Sequence, residues 1–472
     1  MAPSVTSLLA ESNTIIPIKT KASVVNDDVG IFLETNAVQP TETVCQVEEM
    51  PYLENTPATS EDNDDTVDHG KNGFQSPDIV DEFGTNAVST LQEMPGACVP
   101  STQKAVVTPE MGEQLNLHLR TVAVRDPSPG EAVVRILYSG ICRSDACFSV
   151  GPEPGFPKHN HIAGHEGLGH IVKAHDPSLL GRPVAIRYLG TSCQTCTYCL
   201  RGLFTSCPFQ LNAPKHIAGT FQQYATVPTS CLIPLPKSVL SGSVNPALYA
   251  AALCSGSTAL VALQAAEISP GDVVMVVGVA GAIGHLTGAI AKQVKGAKVI
   301  GIDLGWKIDK LQARSEEFAD IFLHAPTADD GEAWSAFKAE LLGACSQLRG
   351  RNGLTRAAEA VVVTSSSIAA FKRLDEYVCD GGRIVCVGVP QGRNSVSVDL
   401  NALIERNLKL SGNLMGGHRG AAEVMHYITS GQIKPHITEV ALGDVPEQMQ
   451  NLVDCKAMGK IVVRVNEPFL AV

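Results

Sequence analysis

Four cysteines in one short segment are the strongest chemical signal in the sequence. Cys193, Cys196, Cys199 and Cys207 are separated by gaps of two, two and seven residues. Four thiolates on a short irregular segment match a closed tetrahedral zinc site, which stabilises a loop that cannot build its own core. A bacterial ferredoxin cluster is the alternative, but its last gap is three residues. We predict a structural zinc site, with free core cysteines as the simpler alternative.

A second set of metal donors is spread more widely along the chain. Cys142 and His165 each have a carboxylate close by, from Asp145 and Glu166. One cysteine and one histidine are by themselves more often ordinary buried residues. Cys254 changes this balance, because it opens the first long helical stretch, where a third donor can reach a cleft between domains. Three protein ligands and one open position are the catalytic arrangement for zinc, which is what we predict here.

A glycine-rich turn follows an apolar strand and opens a helix. Its glycines are Gly278, Gly281 and Gly284, and a second strand ends at Asp303. Glycines let the backbone approach a pyrophosphate at a helix N-terminus, and an acid after the second strand holds the ribose 2′-hydroxyl while repelling a 2′-phosphate. The spacing departs from strict G-x-G-x-x-G, so a turn without nucleotide stays the alternative. We predict NAD rather than NADP, bound through Gly278, Gly281, Ala282, Ile283, Gly284 and Asp303.

Length and charge limit the remaining possibilities. The chain of 472 residues is long enough for two or three domains. Its net charge is −12, but the first 94 residues hold seventeen acids and three lysines, so the rest is close to neutral. The folded part therefore lacks the surplus of basic residues that would indicate binding to nucleic acid. We find no run of about 18 uncharged apolar residues for a membrane span.

The beginning of the chain differs from the rest in composition. Residues 1–98 lack a sustained helical or strand period and are rich in acids, so we predict a disordered acidic leader. Fourteen cysteines without a signal peptide favour a reducing compartment, and we predict a cytoplasmic protein. A mitochondrial transit peptide is less favoured, because the first 25 residues contain no arginine and only two lysines.

The periodicity predicts two folded domains of the α/β class. Residues 99–245 show short strands between Gly- and Pro-bearing turns, which indicates a compact β-rich domain. Residues 246–412 alternate strands and helices, as in a doubly wound parallel sheet. We predict that residues 413–472 complete the β-rich domain. The predicted strands of the parallel sheet are Val273–Val277, Lys298–Ile302, Ile321–Leu323, Ala360–Val363, Arg383–Val387 and Leu408–Leu410.

Taken together, these motifs resemble the zinc-dependent medium-chain alcohol dehydrogenase family, especially its tetrameric microbial branch. The resemblance covers the chain from about residue 100 to its end. It is carried by residues 142–145, 164–166, 193–207, 253–256, 278–284 and 301–303 and by Gly417-His-Arg419. It implies a GroES-like catalytic domain with two zinc ions and a Rossmann coenzyme domain. It also implies a homo-oligomer, with a tetramer favoured over a dimer, and small alcohol, aldehyde or ketone substrates.

The resemblance also implies roles for individual residues. Cys142, His165 and Cys254 correspond to the catalytic zinc ligands. Asp145 would orient His165, Glu166 would be a carboxylate behind the metal, and Ser144 would take the substrate proton. Arg143 and Arg419 match groups at the coenzyme pyrophosphate, and Lys307 lies where a lysine beside the adenosine ribose is common.

One position departs from the family pattern. The proton relay of the family usually ends at a histidine five residues after the first cysteine ligand, and here that residue is Cys147. A thiol with its ordinary pKa of about 8.5 is a poorer proton shuttle at neutral pH than imidazole. We therefore predict a truncated relay. The remaining cysteines lack ligand spacing and are predicted to be core thiols: Cys231, Cys345, Cys379, Cys386 and Cys455.

The sequence thus leads to one main hypothesis and two alternatives. The main hypothesis is an NAD-dependent zinc enzyme that interconverts an alcohol with its aldehyde or ketone. The first alternative is a specialised pathway dehydrogenase for a larger alcohol, which Tyr188 and Glu153 near the expected pocket neither prove nor exclude. The second is a regulatory protein that binds NAD and zinc with little or no catalysis, which the missing relay histidine and the acidic leader would suit.

Overall fold

The structure, a computed structural model, describes residues 99–150, 161–241, 243–311, 315–326, 331–350, 357–390, 392 and 394–467. All of these residues lie in one compact unit. The predicted acidic leader of residues 1–98 lies outside the described residues, as does Glu153.

The described strands fall into two large sheets and two short hairpin-like pairs. In chain order they are β1 (Thr102–Val107), β2 (His118–Ala123), β3 (Glu131–Gly140), β4 (Glu166–Ala174), β5 (Pro183–Arg187), β6 (Leu189–Thr191), β7 (Leu211–Asn212), β8 (Tyr224–Pro228), β9 (Ile233–Pro234), β10 (Val273–Val277), β11 (Lys298–Asp303), β12 (Ile321–His324), β13 (Ala358–Val363), β14 (Val378–Cys386), β15 (Lys409–Gly412), β16 (Ile437–Ala441) and β17 (Lys460–Arg464).

The helices are shorter and more irregular near the first sheet than near the second. They are α1 (Arg143–Ser149), α2 (Thr197–Leu200), α3 (Ser238–Ser241), α4 (Ala247–Ala251), α5 (Ser257–Ala265), α6 (Ala282–Ala289), α7 (Gly305–Lys310), α8 (Gly331–Arg349), α9 (Leu400–Glu405), α10 (His418–Thr429) and α11 (Val445–Val453). Two π-helical turns, Ala252–Gly256 and Ile290–Val294, continue α4 into α5 and extend α6.

The first sheet is a seven-stranded, mostly antiparallel layer. Its order is β16-β17-β3-β4-β5-β9, and β8 pairs with the other part of β3. Strand β17 runs antiparallel to β3, so a segment near the end of the chain lies in the middle of this sheet. Strands β4 and β5 place Glu166 directly opposite Arg187. The core of this domain gathers apolar residues from β3, β5, β8 and α11, including the fully buried Phe221 between β7 and β8.

The second sheet is a six-stranded parallel layer with the order β12-β11-β10-β13-β14-β15. Every residue of β10 is buried, as expected for a central strand covered on both faces. The predicted fold class is confirmed: a GroES-like domain accompanies a Rossmann-like parallel sheet. The predicted strands overlap the observed strands β10 to β15, and most differences are one or two residues at an end. The exception is β14, which begins five residues before the predicted start because it includes Val378–Gly382.

The helical stretch Ala247–Ala265 shows that the sequence analysis was wrong to find no apolar run long enough for a membrane span. It is long and apolar enough to cross a membrane by length and composition alone. However, 78% of that stretch is buried inside the protein, where Tyr249, Leu253 and Leu260 contribute to the core between the two sheets. The segment is therefore accounted for as a core helix.

The five cysteines predicted to be core thiols differ in their exposure. Cys231 and Cys345 are buried, whereas Cys379 and Cys386 are half-buried. The prediction is wrong for Cys455, which is exposed after α11 with a positive φ of 58°. All cysteines within the described residues are free thiols.

Candidate active site

Cys142, His165 and Cys254 are brought together by the fold, although 112 positions separate the first from the last. Their donor atoms and one carboxylate oxygen of Glu166 all lie within 4.8 Å of one another. Cys142 immediately precedes α1, His165 immediately precedes β4, and Cys254 lies between α4 and α5. Two sulfurs, one imidazole and a nearby carboxylate form a donor set that suits zinc.

Asp145 holds two of these donors in place. It is fully buried in the first turn of α1. Its Oδ1 contacts Nδ1 of His165 at 2.8 Å and accepts a hydrogen bond from the backbone N–H of Gly164 at 3.0 Å, while its Oδ2 accepts from the N–H of Cys142. Burial works against a charged imidazole, but the Asp145 carboxylate outweighs this effect and raises the pKa of His165. This arrangement leaves Nε2 of His165 for a metal and makes the imidazole a stronger donor.

Cys254 lies in the π-helical turn Ala252–Gly256 rather than in regular α-helix. Single π turns are uncommon and are frequent at functional sites, because the wider turn redirects one side chain. The sulfurs of Cys254 and Cys142 interact: a hydrogen bond between them lowers the pKa of Cys142 and raises that of Cys254. Two sulfurs that compete for one proton can both be thiolates when a cation lies between them.

Glu166 is paired with a residue that the sequence analysis did not single out. Nζ of Lys460 donates to Oε1 of Glu166 at 2.5 Å, to the carbonyl oxygen of Ile141 at 3.0 Å and to Oγ of Ser255 at 3.3 Å. Both charged side chains are fully buried. Burial raises the pKa of Glu166 to about 7, against the effect of the Lys460 ammonium. Oε2 of Glu166 has no hydrogen-bond partner among the described residues, although it is buried.

The charges around this cluster test whether a divalent ion fits. Asp145, Glu166, Arg187 and Lys460 are all fully buried, so two carboxylates are offset by two cations. The two thiolates that a metal requires would then need a charge of +2, because buried charges are stable only when they are compensated. The residues therefore fit a divalent metal ion.

The four-cysteine segment forms a second cluster in a small lobe built on β6, β7 and α2. The sulfur atoms of Cys193, Cys196, Cys199 and Cys207 lie within 4.8 Å of one another. Cys193 Sγ lies 3.9 Å from Cys199 Sγ and 3.5 Å from Cys207 Sγ, close to the edge of about 3.8 Å of a tetrahedron with Zn–S bonds of 2.3 Å. Backbone hydrogen bonds from Thr195 and Cys196 lower the pKa of Cys193 to about 6. The cluster fits a closed zinc site.

The glycine-rich turn lies at the carboxyl end of β10, where coenzymes bind in parallel sheets. Gly278 has a φ of 88°, which disfavours other residues, and a Cβ at Gly284 would collide with the Gly278 carbonyl oxygen. Gly281 is the N-cap of α6, whose first residues are Ala282 and Ile283. Asp303 at the end of β11 is nearly buried, and its Oδ2 accepts a hydrogen bond from the N–H of Ala280 at 2.9 Å. The structure thus places the predicted turn and acid in contact.

The other predicted coenzyme residues lie around the same edge of the sheet. Nη1 of Arg143 donates to the carbonyl oxygen of Val389, which follows β14, at 3.2 Å. Lys307 in α7 is buried, and its Nζ donates to the carbonyl oxygen of Ala457 at 3.1 Å. Arg419 is exposed in the first turn of α10. No direct contact between Arg419 and the glycine-rich turn is seen among the described residues.

Ser144 lies beside the candidate metal. It is exposed on α1, and its Oγ lies 3.7 Å from Sγ of Cys142. Cys147 is half-buried one helical turn later on the same face of α1, since residues three apart are neighbours on a helix.

Two aromatic rings cover one side of His165. Phe148 and Tyr188 are stacked with centroids 6.0 Å apart, and they meet the His165 ring edge-on at 6.2 Å and 5.9 Å. Nζ of Lys215 lies 5.5 Å from the Phe148 ring and 5.6 Å from the Tyr188 ring. These rings give the candidate site an apolar wall, and Tyr188 lies where the sequence analysis expected the substrate pocket.

Two residues of the site, Lys460 and Arg187, were missed from the sequence. Both are charged residues at the end of otherwise apolar strands, in Lys460-Ile-Val-Val and Pro-Val-Ala-Ile-Arg187. A charged residue in a strand that is otherwise buried is a usable signal, because such charges need a specific partner. The partners, however, lie at distant positions in the chain.

Comparison with known proteins agrees with this architecture. The family model for the alcohol dehydrogenase GroES-like domain matches residues 128–237, and the model for zinc-binding dehydrogenases matches residues 282–430. Alcohol dehydrogenase 2 of Emericella nidulans is 29% identical over 380 residues, which cover 77% of this chain and 98% of that protein. Alcohol dehydrogenase of Schizosaccharomyces pombe is 27% identical over 368 residues, with 77% and 98% covered.

Solved structures show the same fold. The crystal structure of an NAD-dependent alcohol dehydrogenase has a TM-score of 0.63 and 25% identity, with 77% of this chain and 100% of that chain covered. Acetophenone reductase from Geotrichum candidum, solved in complex with NAD, has a TM-score of 0.60 and 24% identity, with 78% and 98% covered.

The fold and the site define a two-domain, zinc-type oxidoreductase with a Rossmann coenzyme domain. Within that class, the chain belongs to the zinc-dependent medium-chain alcohol dehydrogenase family, which confirms the resemblance found in the sequence. Its substrates are small-molecule alcohols and carbonyl compounds of undefined size, and its cofactors are zinc and NAD(P). The comparisons do not favour the specialised or the regulatory alternative.

The contact between Asp145 and His165 generates a prediction. Replacing Asp145 with Asn removes the charge that strengthens the imidazole, so we expect the affinity for the metal at Cys142, His165 and Cys254 to fall about 10- to 100-fold. Competition with a chelator measures this affinity. Asp176→Asn is the control, because Asp176 only caps a short 3₁₀ turn at the surface. Equal affinities in the two variants would contradict the assigned role of Asp145.

Proposed function

We propose that the protein is an NAD-dependent alcohol dehydrogenase with two zinc ions per chain. The catalytic zinc is held by Cys142, His165 and Cys254, and the structural zinc by Cys193, Cys196, Cys199 and Cys207. The convergence of the first three donors, within 4.8 Å of one another and beside an exposed hydroxyl, is the observation that carries this proposal. The NAD bound in the complex of acetophenone reductase gives additional support.

The chain's own residues then perform distinct tasks. When bound, zinc supplies a Lewis acid that lowers the pKa of the substrate hydroxyl or polarises a carbonyl group, and NAD supplies the hydride acceptor. Ser144 Oγ takes the proton of the substrate hydroxyl during oxidation and returns it during reduction. Asp145 holds the imidazole of His165, while the Glu166–Lys460 pair lies behind the donors. Phe148 and Tyr188 exclude water from one side of His165.

Metal analysis and turnover together test this function. We expect two zinc ions per folded chain, and we expect NADH formation when the purified protein is given NAD and a panel of primary and secondary alcohols. The panel includes bulky members, so that its ranking also identifies the preferred substrate size. A single zinc ion in the four-cysteine lobe and no turnover with any alcohol would contradict the proposal.

The preference for NAD over NADP is proposed from Asp303. Its carboxylate accepts hydrogen bonds from the N–H groups of Ala280 and Leu304. It lies at the edge of the sheet where the adenosine ribose binds in Rossmann folds. A 2′-phosphate brought next to this charge would be repelled.

Asp303→Asn keeps the size of the side chain and removes its charge. We expect the ratio of kcat/KM for NAD to that for NADP to fall at least about 10-fold, since about 1.4 kcal/mol of repulsion corresponds to that factor. Steady-state kinetics with both coenzymes measures this ratio. Asp309→Asn, on the exposed side of α7, is the control. A ratio that stays at the wild-type value would rule out Asp303 as the discriminating residue.

The truncated proton relay stays our proposal for Cys147. Imidazole is a better proton shuttle than a thiol at neutral pH, which supports the idea that protons leave the Ser144 hydroxyl through water rather than through Cys147. Turnover then depends on hydroxide more directly and rises more steeply toward alkaline pH.

Cys147→His restores an imidazole at this position. We expect the pH dependence of kcat to flatten between about pH 6 and pH 9, because imidazole exchanges protons near its ordinary pKa of about 6.5. A pH–rate profile measures the change, and Cys455→His at the surface is the control. An unchanged profile in Cys147→His would contradict a truncated relay.

A homo-oligomer, with a tetramer favoured over a dimer, is also proposed. The outer edge of β15 is unpaired among the described residues, and exposed apolar side chains lie on β15 and in the chain segments that flank it. They are Val396, Leu400, Ile404, Leu410 and Leu414. A second exposed apolar group, Leu200 and Phe209, lies on the four-cysteine lobe and could serve a further contact. Such patches commonly mark interfaces.

Light scattering after size exclusion measures the assembly directly. We expect four chains per particle, and we expect Leu410→Lys to reduce that number because a charge on an edge strand opposes pairing. A monomeric wild-type protein would contradict the proposal. We further propose a cytoplasmic location, supported by the free cysteines; cell fractionation tests it.

A further inference from the structure

Arg187, at the end of β5, is a buried cation at the junction of the two domains. It is fully buried and lies opposite Glu166 in the sheet. Its Nε donates to the carbonyl oxygen of Leu253 at 2.6 Å, and its Nη2 donates to Oγ of Ser257 at 2.9 Å and to the carbonyl oxygen of Gly416 at 2.8 Å. Nη1 has no hydrogen-bond partner among the described residues.

Stability alone does not account for an arginine at this position. Burial lowers the pKa of Arg187 to about 10, although Cys254 and Glu166 act in the opposite direction. None of its hydrogen bonds goes to a carboxylate within the described part of the chain. A buried cation without a directly bonded carboxylate is costly compared with an apolar side chain of similar size. What the guanidinium provides instead is a rigid planar fork that binds several groups in fixed directions.

Two of its contacts lie next to the metal donor Cys254. Leu253 immediately precedes Cys254 in the π-helical turn. Ser257 begins α5 directly after that turn, and its Oγ also lies 3.0 Å from the carbonyl oxygen of Cys254. Arg187 therefore holds the backbone before Cys254 directly and the carbonyl group of Cys254 through the Ser257 hydroxyl. A shift of the guanidinium would move the turn that presents the sulfur.

The third contact lies in the coenzyme domain. Gly416 belongs to the segment that leaves the carboxyl end of β15 and enters α10, at the edge of the parallel sheet where coenzymes bind. This segment is tightly packed, because a Cβ at Gly416 would lie 2.6 Å from the carbonyl oxygen of Ser257. One side chain of the catalytic domain thus joins the turn with the metal donor to the segment at the coenzyme edge.

We propose that Arg187 is a positioning residue that couples coenzyme binding to retention of the catalytic metal. The inference rests on the proposed function, since it assumes zinc at Cys254 and NAD at the sheet edge. Bound coenzyme orders the segment around Gly416, and this segment fixes the position of the Arg187 guanidinium. The guanidinium in turn fixes the π-helical turn that contains Cys254. By thermodynamic reciprocity, the metal at Cys254 tightens coenzyme binding by the same factor.

The test compares the loss of the catalytic zinc to a chelator with and without saturating NADH. In the wild-type holoenzyme we expect NADH to slow this loss at least about 10-fold, which lies within the usual range of coupling between sites. In Arg187→Lys, which keeps the charge but lacks the planar fork, the factor should fall close to one. NADH affinity, followed by fluorescence, should become insensitive to removal of that zinc in the same variant.

Controls separate this role from general stability. Arg182→Lys changes the same residue type just before β5, where the side chain donates to the carbonyl oxygen of Ser178 at the surface, and should keep the full factor. Zinc in the four-cysteine lobe should be lost at the same rate in all variants. Ser257→Ala removes one anchor of the guanidinium with little change in volume, so it decides the question if Arg187→Lys does not fold; we expect a reduced factor.

Two outcomes would overturn the inference. One is a wild-type enzyme that binds zinc and NADH and turns over alcohols, but whose loss of zinc does not depend on NADH. The other is an undiminished factor in both Arg187→Lys and Ser257→Ala. Failure of the proposed function is distinguishable, because then no alcohol is oxidised and NADH or the catalytic zinc does not bind at all.

Discussion

The buried contact between Lys460 and Glu166 joins a strand near the end of the chain to the centre of the catalytic domain. Its two partners are 294 positions apart, and both are fully buried. Removing either one would leave an unpaired charge in the protein interior, which typically costs several kcal/mol. Because β17 lies beside β3, its first side chain reaches Glu166 and the carbonyl oxygen of Ile141, the residue before Cys142. Fold and chemistry therefore share one constraint, the compensation of buried charge.

The same constraint orders the rest of the site. The Asp145 carboxylate is the negative charge in contact with the His165 imidazole. The Arg187 guanidinium is the positive charge on the strand residue opposite Glu166. With two cations and two carboxylates in balance, the thiolates are left for a divalent ion. With both thiols deprotonated, a divalent ion makes the cluster neutral. This is a physical reason why the donors can stay close together inside an apolar interior.

Besides the apolar core between the two sheets, three polar contacts link the coenzyme edge of the parallel sheet to the first domain. Gly459 immediately precedes Lys460, and its N–H donates to the carbonyl oxygen of Ala280 in the glycine-rich turn. Arg143 reaches the segment after β14, and Lys307 reaches Ala457. Each of these links connects a residue near the metal donors or β17 to the coenzyme edge of the parallel sheet. The relative position of the metal donors and the coenzyme edge therefore depends on a few short segments. A displacement of one of these segments would move both sites.

Local sequence determined the types of site in this protein. The four-cysteine spacing, the glycine-rich turn with Asp303 and the strands β10 to β15 depend on neighbours within one segment or one βαβ unit, so their patterns are visible in the chain. Tertiary structure decided how the sites are completed. The π turn that presents Cys254 is one such feature. The pairing of Lys460 with Glu166 and the three contacts of Arg187 join residues from 66 to 294 positions apart. Such contacts leave no local period, because their partners become neighbours only after the sheets have formed.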